Sequence, residues 1–275
     1  MGSNGKTPLD DWRFDGSGRF KIAKADPAAK PCTTGTKAGD IARLAELSVR
    51  LDTLQDILYA EHHRKLLVVL QGMDTSGKDG TVRGVFRAFD PLGLRVAGFK
   101  APTPQELARD FLWRVHAQVP ARGEIVIFNR SHYEDVLITR VHGDIDAAEC
   151  KRRYEHIRAF ERMLEETGTT IVKCFLHLSR DAQRARLQER IDDPHKHWKF
   201  DPADIEERRY WDDYMVAYED AINATATPEA PWHVVPADSK SHRNLMVAEI
   251  MLHVLERMKP EYPEGNPAFE VVKIE

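Results

Sequence analysis

Between Asp40 and Glu61, apolar residues recur at helical spacing: Ile41, Leu44, Leu47, Val49, Leu51, Leu54 and Leu58. That period predicts one long helix with a buried stripe. The pattern then changes. Residues 65–70 read KLLVVL, an uninterrupted apolar run that ends near Gly72. A short run bounded by a turn signal predicts a strand buried on both faces. Residues 94–99, 124–128 (EIVIF), 170–178 (TIVKCFLHL) and 232–235 carry the same signature. Helical stretches separate them, at 80–89, 105–117, 147–166, 181–191, 202–221 and 240–258. Strands alternating with helices predict βαβ units. The expected architecture is a three-layer α/β/α fold around a central, mostly parallel, five-stranded sheet. In such sheets, ligands bind at the carboxyl ends of the strands.

Residues 1–38 lack periodicity and carry Pro and Gly, so they are expected to form an extended arm. The main domain is expected over 39–260, with 261–275 as a short tail. No apolar leader opens the chain and no run reaches membrane-spanning length, so a membrane partner is not expected. Cys32, Cys150 and Cys174 are scattered, which argues against a disulfide framework and for a reducing, cytoplasmic setting. The net charge is -4, so any polyanionic ligand has to be drawn by locally concentrated basic residues, and a nucleic acid is not expected as a partner.

Chemistry enters directly after the first strand. Gly72-Met73-Asp74-Thr75-Ser76-Gly77-Lys78 fits G-x-x-x-x-G-K between a buried strand and a helix, the context in which that motif cradles phosphates. Backbone N–H groups of Thr75 to Gly80 can turn toward phosphate oxygens, the helix N-terminus adds positive potential, and Lys78 adds a point charge. Two features depart from the usual loop. Asp79 stands where Ser or Thr normally reaches Mg²⁺, and a carboxylate, Asp74, sits inside the loop. A carboxylate beside phosphates repels them unless a cation intervenes. Asp74 is therefore a candidate metal ligand or acceptor-orienting group, against the alternative of a turn-forming Asx. Arg83 and Arg87 follow at i and i+4, either as a track for a phosphate chain or as a solvated helix face.

The strand at 124–128 runs into Asn129-Arg130-Ser131-His132-Tyr133-Glu134-Asp135. An acidic residue at this strand end usually handles Mg²⁺ in phosphate-loop enzymes, but here the position is Asn129. Arg130 can bridge phosphates and stabilise transition-state charge. Glu134 and Asp135 are either functional or caps of a helix N-terminus. A third basic segment places Arg184, Arg186 and Arg190 before DDPHKHWKF (192–200), where Pro194 breaks the helix. Such a segment suits a lid that expels water. His195 and His197 have no third ligand nearby, so zinc is not expected. Trp198, Phe200, Tyr210 and Trp211 are candidates to stack on a base, or else core residues.

With the three motifs GMDTSGKDG (72–80), IFNRSHYEDV (127–136) and RIDDPHKHWKF (190–200) in order, the chain resembles the polyphosphate kinase 2 family, relatives of the thymidylate-kinase-like phosphate-loop enzymes. The resemblance implies a phosphate-loop fold with a helical lid at about 184–210. It places Asp74 and Lys78 in the Walker A loop, Asn129 and Arg130 at Walker B, and Arg190 as the lid arginine. Asp74, Lys78, Arg130 and Arg190 then carry catalysis. Thr75, Ser76, Gly77, Lys78, Asp79, Gly80, Arg83 and Arg87 hold polyphosphate. Asn129, Arg130, His132, Glu134, Asp193 and Lys196 face the nucleotide, and Asp74 and Glu134 hold Mg²⁺, with Mn²⁺ as a substitute. Many relatives have Asp at the strand end; the version here resembles the subgroup that phosphorylates nucleoside mono- and diphosphates. The implied reaction takes AMP to ADP and ATP with inorganic polyphosphate as donor and a purine nucleotide as acceptor, in a homodimer or homotetramer. An ATP-dependent nucleoside monophosphate kinase and a non-catalytic phosphate-binding module are the alternatives.

Overall fold

A computed structural model describes residues 7–266; the extreme ends of the expected arm (1–6) and tail (267–275) lie outside the described residues. Six strands form one sheet: β1 (Arg13–Phe14), β2 (Lys65–Gln71), β3 (Leu94–Gly98), β4 (Ile125–Asn129), β5 (Thr169–His177) and β6 (Trp232–Pro236). The helices are α1 (Lys37–Glu61), α2 (Lys78–Val85), α3 (Pro104–Leu107), α4 (Trp113–His116), α5 (Ile138–Val141), α6 (Ala147–Glu166), α7 (Arg180–Asp192), α8 (Ala203–Glu207), α9 (Trp211–Thr225) and α10 (Lys240–Met258). The strand order is β1-β6-β5-β2-β4-β3. Five strands run parallel, as expected. The sixth, β1, comes from the N-terminal arm and pairs antiparallel with β6, Arg13 opposite His233. Its two residues are too few to carry a periodic signal, so the expected count of five was one short.

The sheet separates two apolar layers. Leu66, Val68 and Leu70 of β2 point to one face with Leu47, Leu51, Leu54 and Leu58 of α1 and Leu245, Met246 and Met251 of α10. Leu67 and Val69 point to the other, with Ile157 and Phe160 of α6 and Tyr218 and Ile222 of α9. This alternation on a strand that is apolar throughout is what burial on both sides of a parallel sheet demands. The arm extends the second layer: Phe20 is buried, and its backbone exchanges hydrogen bonds with the Asn223 side chain.

Local chemistry explains where helix boundaries differ from expectation. Ile41 and Val49 are exposed, 53% and 71%, so they lie off the buried stripe of α1. The expected helix at 105–117 is two single turns, α3 and α4. Asp110 accepts from the Leu112 N–H, and the Arg109 side chain bonds back to the Gln105 carbonyl, so local bonds compete with the helical ladder. The stretch 202–221 likewise splits into α8, a 3-10 turn (Arg208–Tyr210) and α9. There Arg208 donates to the Arg180 carbonyl and the Gln183 side chain, which ties the turn to α7.

Candidate active site

The register of β2 and β4 brings the two main motifs together. Leu70 sits opposite Asn129, and the Arg130 N–H donates to the Leu70 carbonyl at 3.1 Å. The phosphate loop and the strand-end motif therefore leave the sheet side by side, at the carboxyl end of its central strands, as the general rule for such sheets requires. Thr75 and Arg130 both have φ near +63°, a left-handed conformation that non-glycine residues adopt sparingly.

Within the loop, Lys78 is buried and its Nζ donates to the carbonyls of Gly72 (2.6 Å) and Met73 (3.3 Å). Burial, reinforced by the positive charge of Arg130, lowers its pKa, while Asp74, Glu134 and Asp79 act in the opposite direction. The Arg130 guanidinium meets Asp74 Oδ1 at 2.7 Å, and the Asn129 amide donates to Asp79 Oδ1 at 2.6 Å. So Asp74 is not a self-bonded Asx turn; it faces the second motif. Glu134 is half-buried beside the same groups. Burial raises its pKa, against the pull of Arg130 and Lys78. The hydroxyls of Thr75, Ser76 and Thr81 are buried with no partner among the described residues, leaving donors for phosphate oxygens.

Two cavities meet here. One, of about 650 Å³, is lined by Asp74, Lys78, Arg83, Asn129, Arg190 and Arg243, with Lys100, Lys196, Lys199 and Lys240 around it. The other, of about 1070 Å³, is more apolar and is lined by Phe99, Leu107, Phe111, Leu112, Ile138 and Phe160. Arg130, Phe99, Lys100 and Ala101 line both. Glu134 lines only the second.

Most of the expected site residues converge, and three do not. Arg87 lies in the turn after α2, which ends at Val85, so the i, i+4 face shared with Arg83 does not form and Arg87 is off the cavity. His132 is fully buried on the far side of its turn, with Nε2 3.4 Å from Glu161 Oε1, so it does not face nucleotide. Asp193 caps the 3-10 turn Pro194–Lys199 through the His195 N–H and pairs with Lys196 at 2.9 Å; it lines neither cavity. Arg190 reaches the cavity wall, held by the Lys199 carbonyl and Asp204 at 3.0 Å. Burial and the nearby Asp74 push the Asp204 pKa up to about 6. Of the aromatic candidates, Trp198 is 75% exposed on the loop cavity, while Trp211 is in the core.

Several residues were not legible in sequence. Gln183 donates to the Asp74 carbonyl at 3.1 Å. Arg186, which the sequence placed in the basic segment without a role, donates to the carbonyls of Thr75, Ser76, Ala237 and Asp238. Arg243 of α10 lies about 170 residues from the loop in sequence and donates to the Ser76 carbonyl at 3.1 Å. No motif announces it; only the packing of α10 on α2 brings it there. Behind the strand-end turn, Lys173 pairs with Glu161 at 2.6 Å, fully buried, and the Tyr133 hydroxyl donates to Glu161 at 2.7 Å.

A phosphate loop, a strand-end arginine and a basic wall around one cavity define a phosphate-loop phosphotransferase. Residues 35–263 match the family model described as polyphosphate kinase 2 (PPK2). The chain is 52% identical over 267 residues to an AMP/ADP-polyphosphate phosphotransferase of Meiothermus ruber, covering 97% of this chain and 100% of that one. It is 47% identical over 231 residues, 80% of each chain, to an ADP-polyphosphate phosphotransferase of Rhodopseudomonas palustris. The crystal structure of polyphosphate kinase 2 from Arthrobacter aurescens superimposes with a TM-score of 0.92 at 48% identity, covering 96% of this chain and 95% of that one. The chain belongs to the polyphosphate kinase 2 family.

Proposed function

We propose that the protein transfers the terminal phosphoryl group of inorganic polyphosphate to AMP and ADP, giving ADP and ATP, reversibly. The observation that carries this reading is the junction of a basic phosphate cavity with a large apolar one at Arg130. A phosphate chain needs charge and no apolar wall; a nucleoside needs the apolar wall. The two cavities therefore suit a baseless donor and a nucleotide acceptor that meet end to end. A purine base fits the apolar chamber between Phe99, Phe111 and Phe160. The relative from Meiothermus ruber, named for both AMP and ADP, supports two acceptor lengths.

In this reading the loop N–H groups and hydroxyls hold the donor end, and Lys78 exchanges the carbonyls of Gly72 and Met73 for phosphate oxygens. An oxygen of the nucleotide's terminal phosphate attacks the terminal phosphorus in line. The bond to the bridging oxygen breaks, and the shortened polyphosphate leaves with that electron pair. A phosphate oxygen is already ionised at neutral pH, so no general base is needed. Positioning and charge neutralisation then account for the rate. Arg130, at the junction, and Arg190, on the wall, clamp the moving group. Asp74 and Glu134 would hold Mg²⁺, which supplies charge neutralisation when bound. Among the described residues no cluster of three or more metal-ligating side chains forms. Mg²⁺ in phosphate-transfer sites is held by one or two carboxylates with substrate phosphates completing its shell, and Asp74 and Glu134 would supply the carboxylates. Mn²⁺ favours the same oxygen donors.

A cytoplasmic location is supported by three free cysteines, and no helix among the described residues is long and apolar enough to cross a membrane. A homodimer or homotetramer rests on the family resemblance alone. The deciding experiment incubates purified protein with AMP or ADP, polyphosphate and Mg²⁺ and separates the nucleotides. The expected products are ADP and ATP from AMP, and ATP from ADP. Turnover with ATP but not polyphosphate as donor would refute the reading.

A further inference from the structure

Arg243 and Arg186 are both buried, 3% and 9% exposed, and their guanidiniums meet at one atom: the Ser76 carbonyl oxygen accepts from Arg243 at 3.1 Å and from Arg186 at 3.3 Å. Their other partners are also neutral. Arg186 takes the carbonyls of Thr75, Ala237 and Asp238, and Arg243 takes the Asn244 side chain. Among the described residues no carboxylate pairs with either within ion-pair distance; Asp238 and Glu189 act on Arg186 only from farther away. Glu189 is itself engaged by Lys196 and Lys240.

The surroundings add positive potential. Arg243 sits in the first turn of α10, which has no acidic residue in that turn, and it lies against the N-terminus of α2. Two helix N-termini are positive ends. The approach is close. A Cβ on Gly77 would fall 1.8 Å from Arg243 Nη1, and one on Gly80 would fall 2.9 Å from Nη2. The missing side chains of Gly77 and Gly80 leave the space in which this guanidinium lies. Burial, with Arg186 adding repulsion, pushes the Arg243 pKa down to about 9. A buried, unpaired cation is a cost to the free protein, and natural proteins seldom keep one without a use.

We propose that Arg243, backed by Arg186, is a positioning residue held without a counter-ion against the outer wall of the phosphate loop, so that its charge is balanced only when the donor polyphosphate chain lies in the loop cavity. This rests on the phosphate-loop reading above. Arg243 lines the loop cavity and not the apolar one, so its effect falls on the donor and not on the nucleotide. The consequence is a pair of opposite signs. Removing the charge relieves the free protein and weakens donor binding.

The test uses the full chain and Arg243→Met, Arg243→Lys and Lys78→Ala. Affinities for tripolyphosphate and for ADP are measured by calorimetry, and Tm is measured with and without tripolyphosphate. Arg243→Met is expected to lose about tenfold or more in tripolyphosphate affinity, to lose less than about threefold for ADP, and to keep or raise the ligand-free Tm. Arg243→Lys retains the charge and is expected to stay within about threefold of wild type for tripolyphosphate, which also covers the case in which the Met variant fails to fold. A ligand-free Tm that falls by several degrees in Arg243→Met with tripolyphosphate affinity kept would make Arg243 a structural brace and overturn the proposal. So would equal losses for both ligands, or a Lys variant as weak as the Met variant. Lys78→Ala separates the two levels: if it too binds tripolyphosphate like wild type, the phosphate-loop reading itself fails.

Discussion

Lys173→Met removes one half of the buried ion pair beneath the strand-end turn. In the native protein Glu161 Oε2 accepts from Lys173, and Oε1 accepts from the Tyr133 hydroxyl. Lys173 also donates to the Thr225 carbonyl at 2.9 Å and contacts the Tyr133 oxygen at 3.2 Å. Burial alone would raise the Glu161 pKa, but the charge of Lys173 and the hydrogen bond with His132 bring it below the ordinary value of 4.5. Without Lys173 burial wins and the carboxyl folds protonated. Taking up that proton at pH 7 costs about 1.4 kcal/mol for each of the roughly 2.5 units above the ordinary value, so about 3.5 kcal/mol. This agrees with the 3–5 kcal/mol, roughly, seen when one partner of a buried pair is removed. It is a large part of a total stability of about 5–15 kcal/mol. The sign with pH follows. In the wild type a depressed Glu161 contributes stability that is present above pH 4.5 and lost as pH falls below it. In the variant the folded pKa is raised, so stability is retained at acid pH and lost as pH rises. The gap between the two proteins should therefore widen by about 1.4 kcal/mol per unit from pH 5 toward 7. Urea denaturation at several pH values measures it. A gap below about 1 kcal/mol at pH 7, or one independent of pH, would refute the reasoning.

Three further outcomes follow from the site. Lys78→Ala should lower turnover by about a hundredfold or more while circular dichroism and Tm stay near wild type, because its Nζ bonds only loop carbonyls in the free protein. Near-normal turnover would remove the loop from catalysis. Asp74→Asn should raise the Mg²⁺ concentration needed for half-maximal activity by severalfold, checked by titration at fixed substrates; the same variant leaves Arg130 without its ion pair, so an unchanged titration would assign Asp74 to Arg130 alone. Glu134→Gln should slow AMP phosphorylation more than ADP phosphorylation, because a carboxylate facing the acceptor cavity can hold a cation in the space of the missing phosphate. Initial rates with each acceptor at saturating polyphosphate decide it, and equal losses would sink the argument.

The parallel strands and the long helices were legible because each repeats a burial pattern over many residues. Leu66 to Leu70 must be apolar on both faces to lie in the centre of the sheet, and the shortness of the run and the glycine that follows it mark it as strand and not helix. The loop 72–78 was legible for a different reason: phosphate contact by backbone demands glycine and lysine at set spacing, and that demand is local. The short elements were not. β1 has two residues, and the break between α3 and α4 depends on where the Arg109 and Asp110 side chains turn back on the backbone.

What the sequence determined by itself was therefore the chemistry that adjacent residues perform together: the phosphate loop, the Asn129-Arg130 strand end and the basic segment around Arg190. What only the tertiary structure decided was which lone residues join or leave that site. His132 sits within a motif yet points into the core, because neighbours on a tight turn face opposite ways and Glu161 accepts it there. Arg87 has the right spacing but its helix ends two residues too soon. Arg243, in no motif, reaches the loop because α10 packs on α2 in the layer that covers one face of the sheet. Side-chain direction depends on which faces are buried, and that is fixed by contacts between elements far apart in the chain, which no local pattern records.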